Sequence, residues 1–129
     1  AIIQGQEELT VCLLEASEKV DRGDIWHKST HQIPKHFLYN DIMEVVNQAH
    51  IDLIDYAVEN HETVDPLPQD PHKIPTYFSA RTPVDSEISA SESIASQFDL
   101  LRVCDNNRFP SFFHLHGKKF KITIESSDE

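Results

Sequence analysis

The sequence predicts an α/β fold, and three stretches of the chain carry that prediction. Residues 10–15 (TVCLLE) form a short, nearly continuous apolar run of strand formers, and residues 40–60 repeat apolar side chains at helical spacing. Residues 112–125 alternate apolar and polar side chains around a Gly-Lys pair. The chain has 129 residues, a length that suits one ordinary domain or pieces of two.

The apolar run at residues 10–15 is typical of a strand buried on both faces, so we expect an inner strand of a sheet. Residues 20–25 (VDRGDI) then place a glycine between carboxylates, which indicates a tight loop before a second strand that ends near Ile33. In open parallel sheets, ligands collect at the carboxyl ends of strands, so this loop is the first candidate site. The alternative is a surface turn whose aspartates bond their own backbone, and position alone does not decide between them.

Residues 40–60 predict a long amphipathic helix with Asn40 as its cap. Four prolines between residues 62 and 75 exclude regular structure and predict an extended connector, where a boundary between two structural units is expected. A capping box from Ser89 to Glu92 predicts the start of a second helix. The chain therefore divides into residues 1–62, the connector at 63–75 and a smaller unit at 76–129.

A β-hairpin is predicted at the end of the smaller unit, because residues 112–116 and 119–125 flank Gly117 and Lys118. Phe120, Ile122 and Ile124 alternate with polar residues, which predicts one buried face. The same apolar face would also serve a non-catalytic module that pairs with a second copy.

The overall charge is strongly acidic, with a formal net charge of −11. Such a charge repels polyanions and disfavours a nucleic-acid partner. Residues 102–121 are locally basic, however, and a phosphate or pyrophosphate suits that scale better than a duplex. The basic side chains of this segment are Arg102, Arg108, Lys118, Lys119 and Lys121.

Two cysteines, Cys12 and Cys104, lie far apart beside apolar neighbours, which indicates buried thiols in a reducing compartment and makes the cytoplasm the default. No stretch approaches the roughly 18 consecutive apolar residues that a bilayer span needs, so membrane insertion is disfavoured. The apolar start of the chain, Ala1 to Ile3, has no capping residue before it, and we expect residue 1 to lie inside a domain.

Other polar residues also suggest sites, each beside a plainer interpretation. His114 and His116 would share one face of a strand, but no third ligand has fitting spacing, so we expect no metal. Arg81 precedes Pro83, which would stiffen the backbone, and Asp85, which could pair with the arginine. An arginine held in this way would bind a phosphate or a carboxylate; the alternative is a surface ion pair.

Taken in order, these segments resemble the family of methionyl-tRNA formyltransferases and sugar N-formyltransferases. Residues 1–5 and 10–14 precede residues 20–25, which are similar to the family's Asp-x-Gly-Asp-Ile loop. Residues 81–85 (RTPVD) are similar to its Arg-x-Pro-x-Asp. The resemblance continues through the helix and hairpin segments, which are residues 101–103, 109–113 and 117–120.

The resemblance implies a Rossmann-like formyltransferase domain whose C-terminal portion is residues 1–62, followed by the helix and β-hairpin subdomain. It implies formyl transfer from N10-formyltetrahydrofolate to a primary amine by an asparagine, a histidine and an aspartate. Asp21 matches the aspartate, whose charge would raise the pKa of the histidine. Glu18, Val20 and Asp21 would also face the folate.

By the same resemblance, Arg81 would bind the phosphates of the acceptor, and Arg102 is a second substrate-binding candidate. The family's asparagine and histidine match nothing in this chain, so we expect an N-terminal half upstream of Ala1 as the partner of these residues. Without that half, the chain is expected to be inactive.

We expect an amino-sugar nucleotide as the acceptor, because the acidic chain carries no basic domain for tRNA. The alternatives are a methionyl-tRNA formyltransferase, a glycinamide ribonucleotide transformylase and the non-catalytic module. The segment from Arg81 to Lys121 argues against the transformylase, whose family usually stops sooner. A homodimer through the hairpin is a further expectation.

Overall fold

The computed structural model describes residues 2–16, 23–69 and 81–127 of the chain. Two antiparallel strand pairs and two α-helices follow one another along these residues. Their bounds are β1 Glu8–Leu14, β2 Ile25–Gln32, α1 Tyr39–Asn60, a 3₁₀ helix at Pro83–Ser86, α2 Ile94–Arg102, β3 Ser111–Leu115 and β4 Lys118–Ile122. The mixed α/β class predicted from the sequence is confirmed.

β1 and β2 form an antiparallel ladder that runs from Glu8 opposite Gln32 to Leu14 opposite Ile25. One face of the ladder is polar and exposed, with the Thr10 and Thr30 hydroxyls 2.9 Å apart. The prediction that β1 is buried on both faces is wrong for this chain, as is the prediction of a buried thiol at Cys12, which is exposed. The reason is that the described residues supply β1 with one paired strand and cover only one face of the sheet.

α1 covers the other face of this sheet. It begins at Tyr39, one residue before the predicted cap Asn40, and the Asp41 carboxylate accepts a hydrogen bond of 3.1 Å from Leu38 N. The chain before the helix supplies Ile33, which is fully buried. The core formed by Ile2, Ile33 and Ile42 is extended by Leu9, Phe37, Val45, Val46 and Val103. Among the helices of the described ranges, none is long and apolar enough to cross a membrane.

The predicted connector takes part in the first sheet. Leu67 pairs with Ile25 through two backbone hydrogen bonds, of 2.7 and 2.9 Å. The prolines therefore exclude a long strand without excluding a single β-bridge, which corrects the expectation of a connector with no regular pairing. The rest of the predicted connector, residues 70–75, lies outside the described residues, and the three-part division of the chain stays a prediction.

α2 begins later than the predicted capping box. Ser93, not Ser89, caps the helix, since its Oγ accepts a hydrogen bond of 3.0 Å from Ser96 N. The buried side chain of Gln97 instead bonds the backbone of Ser89, with Nε2 donating to Ser89 O over 3.0 Å. The serine-rich segment contains several possible caps at similar spacing, and the contact made by Gln97 decides between them.

The predicted hairpin is confirmed, but its two-residue turn is His116-Gly117 rather than Gly117-Lys118, because Leu115 pairs with Lys118. His116 and Gly117 have φ angles of 51° and 73°, which is the backbone of a type I′ turn. The rings of Phe113 and Phe120 stack across the strands with centroids 5.6 Å apart. Phe120 is nevertheless 42% exposed, so the prediction of a buried face is wrong at Phe120, whereas Ile122 and Ile124 are half-buried. Phe112, on the other face, is buried because it pairs with the segment at Glu87 and Ile88.

The side chain of Arg102 joins α2 to the chain that precedes α1. The side chain is 1% exposed, and its Nη1 donates a hydrogen bond of 2.8 Å to Pro34 O. Its Nε lies 2.9 Å from the Asp99 carboxylate, one turn earlier in the helix. The hydrogen bond to Pro34 O therefore joins α2 to the chain before α1. The contact with Asp99 is an ion pair within α2, in which Nε does not make a hydrogen bond.

We predict that Arg102→Met lowers the free energy of unfolding by about 2 to 4 kcal/mol, since it removes a buried charge-assisted hydrogen bond and an ion pair. The exposed Arg108 is the matched control, and Arg108→Met is expected to cost under about 1 kcal/mol. Urea unfolding followed by circular dichroism measures both values. Equal losses for the two variants would contradict the role given to Arg102.

Candidate functional site

The loop between β1 and β2 contains the residues with the strongest sequence signal. Its ends are described: Glu15 N donates a hydrogen bond of 2.8 Å to Asp24 O, and Asp24 itself is exposed. The predicted donor-binding and catalytic residues Glu18, Val20 and Asp21 lie outside the described residues, so their roles stay predictions. The two flanking strands are antiparallel. The parallel-sheet argument that first suggested a site here therefore does not apply to this strand pair.

Gly23 lets the two ends of this loop approach each other closely. It is buried, and a Cβ atom at this position would lie 1.8 Å from the Glu15 carbonyl oxygen. The obstacle is backbone, which a rotamer change does not remove. A glycine is therefore required in VDRGDI by the crossing of the loop ends, independently of any catalytic role.

The connector holds the same loop from the other side. Gln69 Nε2 donates a hydrogen bond of 2.9 Å to Gly23 O, and the Leu67 bridge to Ile25 lies beside it. These contacts join residues more than 40 positions apart, and sequence reasoning did not find them. A polar residue in a proline-rich stretch carries no local signal of such a partner.

Arg81 lies before the 3₁₀ helix, and its Nη2 donates to the backbone oxygen of Asp85 over 3.2 Å. The Asp85 carboxylate accepts instead from Thr82 N at 2.7 Å. The predicted pairing of Arg81 with the Asp85 carboxylate is thus corrected to a contact with its carbonyl, because the carboxylate caps the 3₁₀ helix. The side chain of Arg81 remains exposed.

A cleft of about 210 Å³ lies beside Arg81 and is walled by parts of the chain that are distant in sequence. Tyr39 comes from the start of α1, and Asp105 and Arg108 come from the loop after α2. Buried Ser86 supports the cleft, since its Oγ bonds Phe109 O at 3.5 Å. Sequence reasoning noted the basic character of residues 102–121 but did not bring Arg108 or Tyr39 together with Arg81.

Arg102, the second predicted substrate ligand, is buried with its guanidinium on Pro34 O and Asp99. These contacts give it a role in the fold, and its role as a substrate ligand stays a prediction.

The two histidines of the hairpin do not share a strand face as predicted, because only His114 belongs to β3. His114 Nδ1 lies 3.1 Å from the Glu87 carboxylate, whereas His116 belongs to the turn rather than to β3. Within the part of the chain that the structure describes, no group of three or more His, Cys, Asp or Glu side chains is arranged to hold a metal ion. His114 therefore contributes an exposed contact between β3 and the segment after the 3₁₀ helix.

Comparison with solved structures places this arrangement among formyltransferase folds. The match to methionyl-tRNA formyltransferase from Clostridium thermocellum covers 97% of this chain and 53% of the chain of that enzyme, with a TM-score of 0.72 and 20% sequence identity. The match to HypX from Aquifex aeolicus in complex with tetrahydrofolic acid covers 95% of this chain and 22% of the HypX chain, with a TM-score of 0.75 and 20% sequence identity. The match to a 4-N formyltransferase from Francisella tularensis covers 99% of this chain and 55% of the chain of that enzyme, with a TM-score of 0.70 and 18% sequence identity.

No family model and no curated protein sequence matches the chain. The structural likeness shows the fold: nearly all of the chain has the fold of part of a formyltransferase, which confirms the predicted resemblance at that level. The chain spans about half the length of the two formyltransferases and about a fifth of HypX. At 18 to 20% identity, the acceptor and the catalytic residues do not follow from the likeness.

We predict that Gly23→Ala destabilises the chain by about 2 kcal/mol or more, because the new methyl group overlaps the Glu15 carbonyl. Gly117→Ala is the control, since a Cβ there meets nothing within 4 Å and only the φ of 73° opposes it. It should cost about 1 kcal/mol. Urea unfolding measures both, and a Gly23 variant as stable as the wild type would refute the close approach.

Proposed function

We propose that this chain is part of an N-formyltransferase that transfers a formyl group from N10-formyltetrahydrofolate to the amine of an amino-sugar nucleotide. The observation that supports it most is the likeness to formyltransferase folds over 95 to 99% of the chain. The VDRGDI loop adds to this, since it matches the family's motif at the junction between two paired strands. The tetrahydrofolate seen in HypX supports a folate donor.

In this proposal Asp21 is the catalytic carboxylate. It would orient a histidine and stabilise its protonated form while the amine attacks the formyl carbon, and an asparagine would stabilise the oxyanion. Glu18 and Val20 would contact the folate. The histidine and asparagine would come from the N-terminal half of the same enzyme, so the 129 residues alone would be inactive.

The acceptor is proposed from charge. A tRNA substrate needs a basic surface that follows many phosphates, and a chain with a net charge of −11 opposes such a surface. A nucleotide sugar presents one diphosphate, which a small group of arginines neutralises. Methionyl-tRNA is the second candidate, favoured by the likeness to the Clostridium thermocellum enzyme.

A non-catalytic assembly role is favoured by a different observation. Leu115 and Phe120, on one face of the hairpin, are 44% and 42% exposed. A second copy pairing on this face would bury them and would make the protein a homodimer. Sedimentation velocity distinguishes the monomer from the dimer, and a monomer at all concentrations would remove this role.

The acceptor is tested by incubating the complete polypeptide with N10-formyltetrahydrofolate and either amino-deoxysugar nucleotides or methionyl-tRNA. We expect formylation of the sugar nucleotide, measured by mass spectrometry of the product. If only the tRNA is formylated, methionyl-tRNA replaces the proposed acceptor. If neither the sugar nucleotides nor the tRNA are formylated, the enzyme assignment is wrong for both acceptors.

We predict that Asp21→Asn in the complete polypeptide lowers kcat by about 10⁴-fold, the scale for a carboxylate that orients a catalytic histidine. Its stability to urea should be unchanged. Glu15→Gln, an exposed carboxylate on the same loop, is the matched control and should keep the wild-type rate. Comparable rates for the two variants would exclude a catalytic role for Asp21.

A further inference from the structure

The outer face of α1 carries a row of apolar side chains that stays exposed in the structure. Ile51, Ile54 and Val58 are 52%, 60% and 69% exposed. Their spacing of three and four residues places them one above another on a single side of the helix. The opposite side of the same turns is buried, through Ala49 and Leu53. A surface helix normally presents polar residues to solvent, so this row is unusual for a face without a partner.

An acidic row runs beside the apolar one at the same helical spacing. Its members are the exposed carboxylates of Asp52, Asp55, Glu59 and Glu62. Gln48 donates a hydrogen bond of 2.9 Å to Asp52, and His61 lies 3.7 Å from Glu62. Residues 36–72 contain no lysine or arginine, so this segment holds no fixed positive charge that would neutralise the row.

The hairpin has the complementary character at its exposed end. Leu115 pairs with Lys118, and alternate residues of a strand share a face, so Leu115, Lys118 and Phe120 lie on one side of the hairpin. Leu115 and Phe120 are 44% and 42% exposed, and Lys118 is exposed as well. Residues 111–122 contain three lysines and no carboxylate. The hairpin therefore offers apolar side chains and positive charge where α1 offers apolar side chains and negative charge.

This complementarity separates the possible occupants of the α1 face. An apolar row with an acidic border favours an apolar surface with a basic border. Contact between two copies of α1 would bring carboxylates together, and contact between two hairpins would bring lysines together, and like charges oppose both arrangements. Both surfaces are exposed within one chain, so the hairpin does not cover its own α1. A hairpin from a second copy satisfies the charge and the apolar requirement together.

We propose that the outer face of α1 is the docking surface for the hairpin of a second copy of this chain. Leu115 and Phe120 of each copy lie on the apolar row of the other, and Lys118 pairs with the acidic row at Asp55. The contact occurs twice across a two-fold axis, which closes the assembly as a dimer. This inference rests on the assembly role proposed for the hairpin and identifies the surface that the hairpin binds. It does not depend on formyl transfer.

The test is sedimentation velocity of the complete polypeptide at a series of concentrations. We expect a dimer that dissociates on dilution. Ile54→Gln and Asp55→Lys should each raise the dissociation constant of the dimer about tenfold or more, because each change acts at both copies of the contact. Both residues are exposed in the monomer, so circular dichroism should show an unchanged fold.

Charge reversal identifies the partner surface. Lys118→Glu should weaken the dimer as Asp55→Lys does, since each homodimer then sets like charges against each other. An equimolar mixture of the two variants should dimerise again, because both contacts of the mixed dimer join a carboxylate to an ammonium group. Asp55→Lys also lowers the net negative charge, so general repulsion between copies predicts a tighter dimer for this variant. A tighter dimer, or a mixture that stays monomeric, would overturn the contact.

Lys121→Glu is the matched control for Lys118→Glu. It changes the net charge by the same amount, but Lys121 lies on the opposite face of the hairpin, where it pairs with Phe112. Its dissociation constant should change by less than about threefold at physiological salt, where exposed charges away from the contact are screened. Equal weakening by the two lysine variants would indicate non-specific repulsion and would also overturn the contact.

The proposals fail separately. If the protein is a dimer that Asp55→Lys leaves intact, the α1 contact is wrong and pairing between two hairpins remains. A monomer at all concentrations, as expected if the N-terminal half covers α1, removes both the contact and the assembly role. Neither result changes the formylation assay, and a dimer that behaves as predicted but formylates no amine removes the enzyme assignment alone.

Discussion

The buried guanidinium of Arg102 determines how the two halves of the described chain face each other. It contacts Pro34 O, just ahead of α1, and Asp99, on its own helix. Tyr39 follows Pro34 closely, and the loop with Asp105 and Arg108 follows Arg102. The two sides of the arginine-lined cleft are thus attached to the two ends of one buried contact. A residue that looked like a substrate ligand in the sequence is placed where it supports the walls of that cleft.

A second constraint acts at the other end of the molecule, where β1 and β2 are joined. The loop ends cross so closely at Gly23 and Glu15 that no side chain fits between them, and the connector reaches back through Leu67 and Gln69 to hold the crossing. The motif is therefore under two requirements at once. Its glycine serves backbone geometry, whereas its first aspartate is the residue proposed for catalysis.

Charge distribution connects the fold to the proposed acceptor. An acidic chain repels an extended polyanion at long range, yet two arginines and one tyrosine line a single cleft. Long-range repulsion and local attraction together favour a compact anion over a nucleic acid. The likeness to formyltransferases does not separate these acceptors, because both a tRNA enzyme and a sugar-type enzyme share the fold.

Local pattern was sufficient to predict the α-helices and strand pairs of this protein, although not all of their bounds. Helical spacing predicted α1, and the Gly117 turn predicted the hairpin. These two features depend on residues close together in the chain, whose spacing sets backbone geometry directly. The formyltransferase fold was expected from the resemblance of the motifs, in their order, to a known family. The cap at Ser93 and the exposed face of β1 were missed, because competing caps and missing neighbours are decided by packing rather than by spacing.

The tertiary structure alone decided which distant residues meet. Three long-range groupings show this: Arg102 contacts Pro34, Gln69 contacts Gly23, and Arg81 and Arg108 line one cleft. A single sequence carries no signal for such pairs, because a polar side chain that will be buried against a distant carbonyl has the same local surroundings as one that will face water. Composition determined the sign of the field around the protein, and folding determined where the few opposing charges converge.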